Sequence, residues 1–138
     1  MMSRILVVRA TFYPEIGDLL LDGASAALKN KGASYEVLDV PGAMEIPLAM
    51  AGASSGFHGY LALGCVIRGE TSHYDVVCQT SANGLMTLAL SKNIIIINGI
   101  LTTENWDQAI ERAHPGKKNK GGYAAQACLA MIHQRDSE

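Results

Sequence analysis

The chain has 138 residues, 49% of them hydrophobic and 17% charged, with a formal net charge of −2. That length and apolar content suit one domain over residues 1–138 with a core large enough to stand without a disulfide or structural metal, and they exclude a disordered polypeptide. Lys117, Lys118 and Lys120 form the only basic cluster, so no electrostatic footprint for nucleic acid or an anionic membrane is present and small molecules are the expected partners.

Ile5 to Val8 is a short β-branched run closed by a loop with Pro14, which predicts a strand buried on both faces. It is too short for a signal-peptide core, and no apolar run is long enough to span a bilayer. From Gly17 to Asn30 apolar residues recur at helical spacing, with Gly32 as a stop signal. Tyr35 to Val40 predicts a second strand, ended by Pro41-Gly42, and Ala43 to Ala53 a second helix interrupted or started at Pro47.

Tyr60 to Ile67 predicts the third strand, residues 68–72 a polar turn, and Tyr74 to Ser91 a long helix. Ile94 to Leu101 opens with four consecutive isoleucines and predicts the fourth strand. Thr103 is expected to cap a helix running to Ala113, and a last helix is expected over Gly121 to Gln134. Between Tyr123 and Ile132 only Gln126 is strongly polar, so one sheet face cannot cover this helix and a subunit interface is expected along it.

Strands alternating with helices imply right-handed parallel crossovers. The expected architecture is a three-layer α/β/α sandwich with a four-stranded parallel sheet, flavodoxin-like, in strand order 2-1-3-4. Ligands bind such sheets beyond the carboxyl ends of the strands, which directs attention to the loops after Val8, Val40, Ile67 and Leu101. The three cysteines, Cys65, Cys78 and Cys128, are far apart and lack C-x-x-C spacing, which indicates neither a disulfide framework nor a zinc site and makes the cytoplasm the expected compartment.

Gly64 to Asp75 carries the most information. Gly69 lets the backbone approach a ligand, and the amides of Glu70 and Thr71, ahead of a helix, can cradle an anion. His73 at that helix start is either a proton carrier near neutral pH or a cap or surface residue. Glu45 could accept hydrogen bonds from a polyol or could serve only the helix dipole. Phe12 and Tyr13 offer faces for a planar heterocycle or for packing, and Arg112 offers a bidentate fork for phosphate or dipole compensation at a helix end. There is no Walker A loop, no G-x-G-x-x-G and no acidic pair after the first strand, which sets aside nucleoside triphosphates, dinucleotides and a phospho-receiver role.

Val40-Pro-Gly-Ala-Met-Glu-Ile-Pro47, the segment Gly64 to Asp75, Gly99-Ile-Leu-Thr-Thr-Glu-Asn105, Gln108 to Ala113 and Asn119-Lys-Gly121 together resemble the 6,7-dimethyl-8-ribityllumazine synthase family of riboflavin biosynthesis, over nearly the whole chain. The resemblance implies an enzyme that condenses 5-amino-6-(D-ribitylamino)uracil with 3,4-dihydroxy-2-butanone 4-phosphate and needs no metal or redox cofactor. It implies that Phe12 stacks on the pyrimidine, Ala43, Met44 and Glu45 hold the ribityl chain, and Cys65, Val66 and Ile67 line the edge of the ring. It further implies phosphate binding by Glu70, Thr71 and Arg112, proton transfer by His73, and a contact from Lys120 to the heterocycle. Asn98 stands where many members place a phenylalanine against the ring, and residues 114–118 depart from the family's usual loop, with Gly116 in place of one lysine and Lys117 beside it. The family's homopentamers, or assemblies of pentamers, complete each site between neighbouring subunits, with Asn98 and Arg112 supplied by the adjacent chain.

Overall fold

An unbroken apolar run is stable only where both faces of the strand are covered, and Ile5, Val7 and Val8 are fully buried at the centre of strand β1 (Arg4–Ala10). The computed structural model describes residues 2–137, so Met1 and Glu138, the ends of the expected domain, lie outside the described residues. The further elements are α1 (Pro14–Asn30), β2 (Ser34–Val40), α2 (Glu45–Gly52), β3 (Gly59–Ile67), α3 (His73–Lys92), β4 (Ile96–Thr103), α4 (Trp106–Ala113) and α5 (Lys120–Asp136). The four strands form one parallel sheet in the order β2-β1-β3-β4, as expected from the alternation of elements.

Right-handed crossovers distribute the helices. The step from β1 to β2 runs one way across the sheet and the steps to β3 and β4 run the other way, so α1 packs on one face while α2 and α3 pack on the opposite face. The chain then returns α4 and α5 to the α1 side. Alternate residues of β1 divide accordingly: Ile5 and Val7 meet Leu20, Ala125 and Cys128, whereas Leu6 and Val8 meet Ile46, Met50 and Leu85.

Several boundaries differ from those expected. Pro14 opens α1 instead of closing a loop, because its fixed φ and missing N–H cost nothing in a first helical turn. The fourth strand begins two residues later than the isoleucine run: Asn93 ends α3 in a left-handed conformation and the Ile94 N–H still bonds the Ala89 carbonyl at 3.0 Å. At its other end β4 extends to Thr103, which pairs with Ile67 and is buried, so Thr103 is not the cap of α4. That role falls to Asn105, whose Oδ1 accepts from the Gln108 N–H at 2.8 Å.

Helix α5 buries one side of its apolar sequence within the chain and leaves the other uncovered, as expected, with Tyr123 and Met131 both exposed. Gly121, Gly122, Ala124, Ala125, Cys128 and Ile132 are buried, and α1 and α5 approach closely enough that a methyl group on Gly121 would lie 2.1 Å from the Leu20 carbonyl oxygen. A second uncovered apolar stripe lies on α3, where Val76, Met86 and Leu90 recur at helical spacing, with Leu48 exposed on the neighbouring α2. The sheet is short, so α3 can turn only its Ser81 and Leu85 face fully inward.

Candidate active site

The strand order reverses at β1, whose following helix α1 lies on one face while α2 and α3, which follow β2 and β3, lie on the other. A crevice must open between helices that leave in opposite directions. It is a cleft of about 320 Å³, walled by Phe12 and Tyr13 after β1, Gly42 to Glu45 after β2, Cys65 to Ile67 at the end of β3, and Gly69, Thr71, His73, Tyr74 and Val77 at the start of α3. The loop after β4 takes no part, because that strand lies at the sheet edge and leads into α4 on the α1 side.

Three helices point their N-termini at this cleft, and none has a side-chain cap: Tyr13 ahead of α1, Met44 ahead of α2 and Ser72 ahead of α3 accept no capping bond. The two helices that begin elsewhere are both capped, α4 by Asn105 and α5 by Asn119. The positive ends of three helix dipoles make the cleft suited to an anionic ligand. His73 has its N–H turned to Thr71 Oγ1 at 3.3 Å.

The lining is mainly apolar, with polar groups at its rim. Phe12 presents an aromatic face that is 69% exposed and is held edge-on against Tyr13, with ring centroids 4.9 Å apart. Tyr13 in turn meets Trp106 at 6.0 Å, which ties the mouth of the cleft to α4. Glu45 folds back over the Pro41-Gly42 turn, where a Cβ on Gly42 would lie 2.9 Å from its Oε1. Burial pushes the Cys65 thiol up to about 11, against the opposing effect of a hydrogen bond with Thr103, so it remains a neutral wall near pH 7. Tyr74 is likewise raised by burial, partly offset by a hydrogen bond with Thr102.

Of the residues expected to form the site, Phe12, Ala43, Met44, Glu45, Cys65, Val66, Ile67, Thr71 and His73 line this one cleft. Glu70 lies in the same loop, exposed between Gly69 and Thr71. Asn98, Arg112 and Lys120 stand away from it. The Asn98 Oδ1 accepts from the Ile100 N–H at 2.9 Å, which satisfies a backbone donor of β4, the Arg112 Nη1 donates to the Gln108 carbonyl at 3.1 Å, and Lys120 is exposed at the first turn of α5. Tyr74 and Val77 were not singled out from sequence. They follow His73 by one and four residues, so the face of α3 that carries His73 into the cleft brings them with it.

Among the described residues no group of three or more His, Cys, Asp or Glu side chains is placed to hold a metal ion, and no helix is long and apolar enough to cross a membrane. The sequence profile described as 6,7-dimethyl-8-ribityllumazine synthase matches residues 2–136. A 6,7-dimethyl-8-ribityllumazine synthase of Erythrobacter litoralis is 50% identical over 137 residues, 98% of this chain and 97% of that protein. One from Bartonella tribocorum is 53% identical over 131 residues, covering 93% of this chain and 87% of that one, and one from Novosphingobium aromaticivorans is 49% identical over 98% of both.

Proposed function

The chain belongs to the 6,7-dimethyl-8-ribityllumazine synthase family, and on that premise we propose that the cleft beyond β1 and β3 is where its two substrates meet. The protein is a transferase of riboflavin biosynthesis that condenses 5-amino-6-(D-ribitylamino)uracil with 3,4-dihydroxy-2-butanone 4-phosphate to 6,7-dimethyl-8-ribityllumazine, releasing phosphate and water. Residues 1–138 act as a single domain.

The pyrimidine stacks on Phe12, its edge against Cys65, Val66 and Ile67, while Ala43, Met44 and Glu45 hold the ribityl chain. The phosphate of the second substrate binds at Glu70 and Thr71, where the α3 dipole and unpaired amides favour a dianion. The 5-amino group then attacks the ketone and a first water leaves to form the imine, phosphate is eliminated, and the ribityl-bearing nitrogen closes the ring onto the remaining carbonyl with loss of a second water. Each step moves a proton, and His73, at the start of α3 beside Thr71, is the imidazole within the cleft placed to take and return one. The observation that carries this reading is the convergence of Phe12, Glu45, Thr71 and His73, drawn from three different loops, on one crevice.

Arg112 and Asn98 act from a neighbouring copy of the chain, and Lys120 contacts the heterocycle. Three features support a homopentamer, alone or within a larger assembly of pentamers: the open cleft with its exposed Phe12, the position of Arg112 and Asn98 outside their own chain's cleft, and the apolar stripe on α3 that awaits cover. The cytoplasm is the proposed compartment. Mixing the purified protein with both substrates should produce lumazine absorbance and fluorescence faster than the uncatalysed condensation. A rate equal to the uncatalysed one would reject the reading.

A further inference from the structure

Arg68 is the last residue before the Gly69 to Ser72 loop and does not line the cleft. Its own backbone N–H donates to the Thr103 carbonyl at 2.9 Å, which continues the β3–β4 ladder one step beyond the strands. The guanidinium then spreads sideways. Nε donates to Glu104 Oε2 at 2.5 Å, Nη2 reaches Asp75 Oδ1 at 3.4 Å, and the plane lies over the Tyr74 ring with its carbon 4.3 Å from the centroid. One side chain thus joins the end of β4, the first turn of α3 and the ring of a residue that walls the cleft.

This arrangement is unsuited to direct phosphate binding, because two carboxylates already occupy the cation. It is also a weak way to hold a fold together, since all three charged groups are around half exposed and exposed ion pairs contribute little to stability. What it does constrain is the short loop between its anchor points, Gly69 to Ser72, which carries the phosphate-binding residues and delivers His73. Gly69 has open space around it and would leave that loop free to wander without such a clamp.

We propose that Arg68, through its pairing with Glu104 and Asp75 and its stacking on Tyr74, is a positioning residue that holds the Gly69 to Ser72 loop and the Tyr74 wall ready for the phosphorylated ketone. The inference rests on the reading of the cleft as the condensing site. It assigns Glu104 a share of the same task from the far side of the clamp. Binding of the aminouracil, which depends on Phe12 and the loop after β2, is independent of it.

The test compares wild type, Arg68→Gln, Arg68→Lys, Glu104→Gln and the Arg68→Gln/Glu104→Gln double variant in the two-substrate assay, with aminouracil binding and thermal melting measured alongside. Arg68→Gln and Glu104→Gln should each raise KM for the butanone phosphate by roughly two- to fivefold, the scale of a small exposed ion-pair network. Aminouracil Kd and the melting temperature should stay at wild-type values. The double variant should be no worse than Arg68→Gln, and Arg68→Lys, which lacks the planar fork, should recover only part of the loss. If Arg68→Gln does not fold, Glu104→Gln decides the matter alone. A wild-type KM in Glu104→Gln, or an equal loss for both substrates, overturns the proposal. Absence of turnover by the wild type removes the reading of the cleft itself and the role of Arg68 with it.

Discussion

The backbone N–H of His73 points at the side-chain oxygen of Thr71, 3.3 Å away, so the first amide of α3 is turned onto the loop that precedes it. The contact is long for a hydrogen bond, and it shapes the turn that brings hydroxyl and imidazole into one cleft. The groups proposed for anion binding and proton transfer thereby sit two residues apart on one turn.

Replacing His73 by alanine should therefore slow turnover without unfolding the protein. The side chain is exposed, and exposed substitutions usually change stability by less than about 0.5 kcal/mol. The expected fall in kcat is about tenfold, below the ~10² typical of general acid–base groups, because the condensation proceeds unaided. Steady-state kinetics with thermal melting checks this, and a wild-type kcat would remove His73 from the mechanism.

Packing between α1 and α5 gives a stability prediction independent of function. Gly121→Ala places a methyl group 2.1 Å from the Leu20 carbonyl oxygen and 2.9 Å from its carbonyl carbon, both backbone atoms that cannot step aside without moving the helix. Overpacking of this kind costs about 1 to 3 kcal/mol. Urea unfolding should show the midpoint fall with an unchanged slope, and an unchanged midpoint would mean that the helices separate freely.

Acid stability should depend on the pairing of Arg9 with Asp39. Arg9 donates to the Asp39 carboxylate from Nε at 2.8 Å and Nη2 at 3.1 Å, and these bonds hold the carboxyl below its ordinary value of 3.8. The unfolded chain consequently binds more protons than the native one at acid pH, so the stabilisation is complete above the ordinary value and is lost as pH falls through the folded one. The Asp39 side chain is 49% exposed, which limits the effect to about 1 kcal/mol or less. Asp39→Asn should be less stable than wild type in urea at pH 7, and the gap should narrow towards pH 3. A gap of equal size at both pH values would contradict the pairing.

How much of this was legible in the sequence differs from element to element. The apolar runs at Ile5 to Val8 and Tyr60 to Ile67 announce strands buried on both faces, and the alternation of strands with helices leads to the sheet order found. The isoleucine run Ile94 to Ile97 misleads at its start, because the left-handed turn at Asn93 leaves Ile94 bonded to the preceding helix, a tertiary detail that hydrophobicity cannot express. Nine of the thirteen residues expected to form the site meet in the cleft since they lie at the ends of neighbouring strands. Asn98 and Arg112 lie outside the cleft of their own chain, and their proposed contribution from a second chain rests on family resemblance, because the spacing of one chain cannot reveal it. The Asn119-Lys120-Gly121 element reads as a ligand motif, yet two of its residues have evident structural work: Asn119 Oδ1 caps α5 by accepting from the Gly122 N–H at 3.2 Å, and Gly121 admits α1.

The claim on which the rest depends is that a cleft built by one chain is completed by Arg112 of another. Phe12→Ala should impair aminouracil binding and Arg112→Ala should weaken use of the butanone phosphate, each lowering kcat/KM on its own. Co-expression of the two variants with different tags, followed by purification of assemblies carrying both, tests the claim directly. In mixed assemblies some clefts combine an intact Phe12 with an intact Arg112 from the neighbour, and we expect their kcat/KM to rise above that of either parent. Mixed assemblies no more active than the parents would place both residues in one chain's site and contradict the shared cleft.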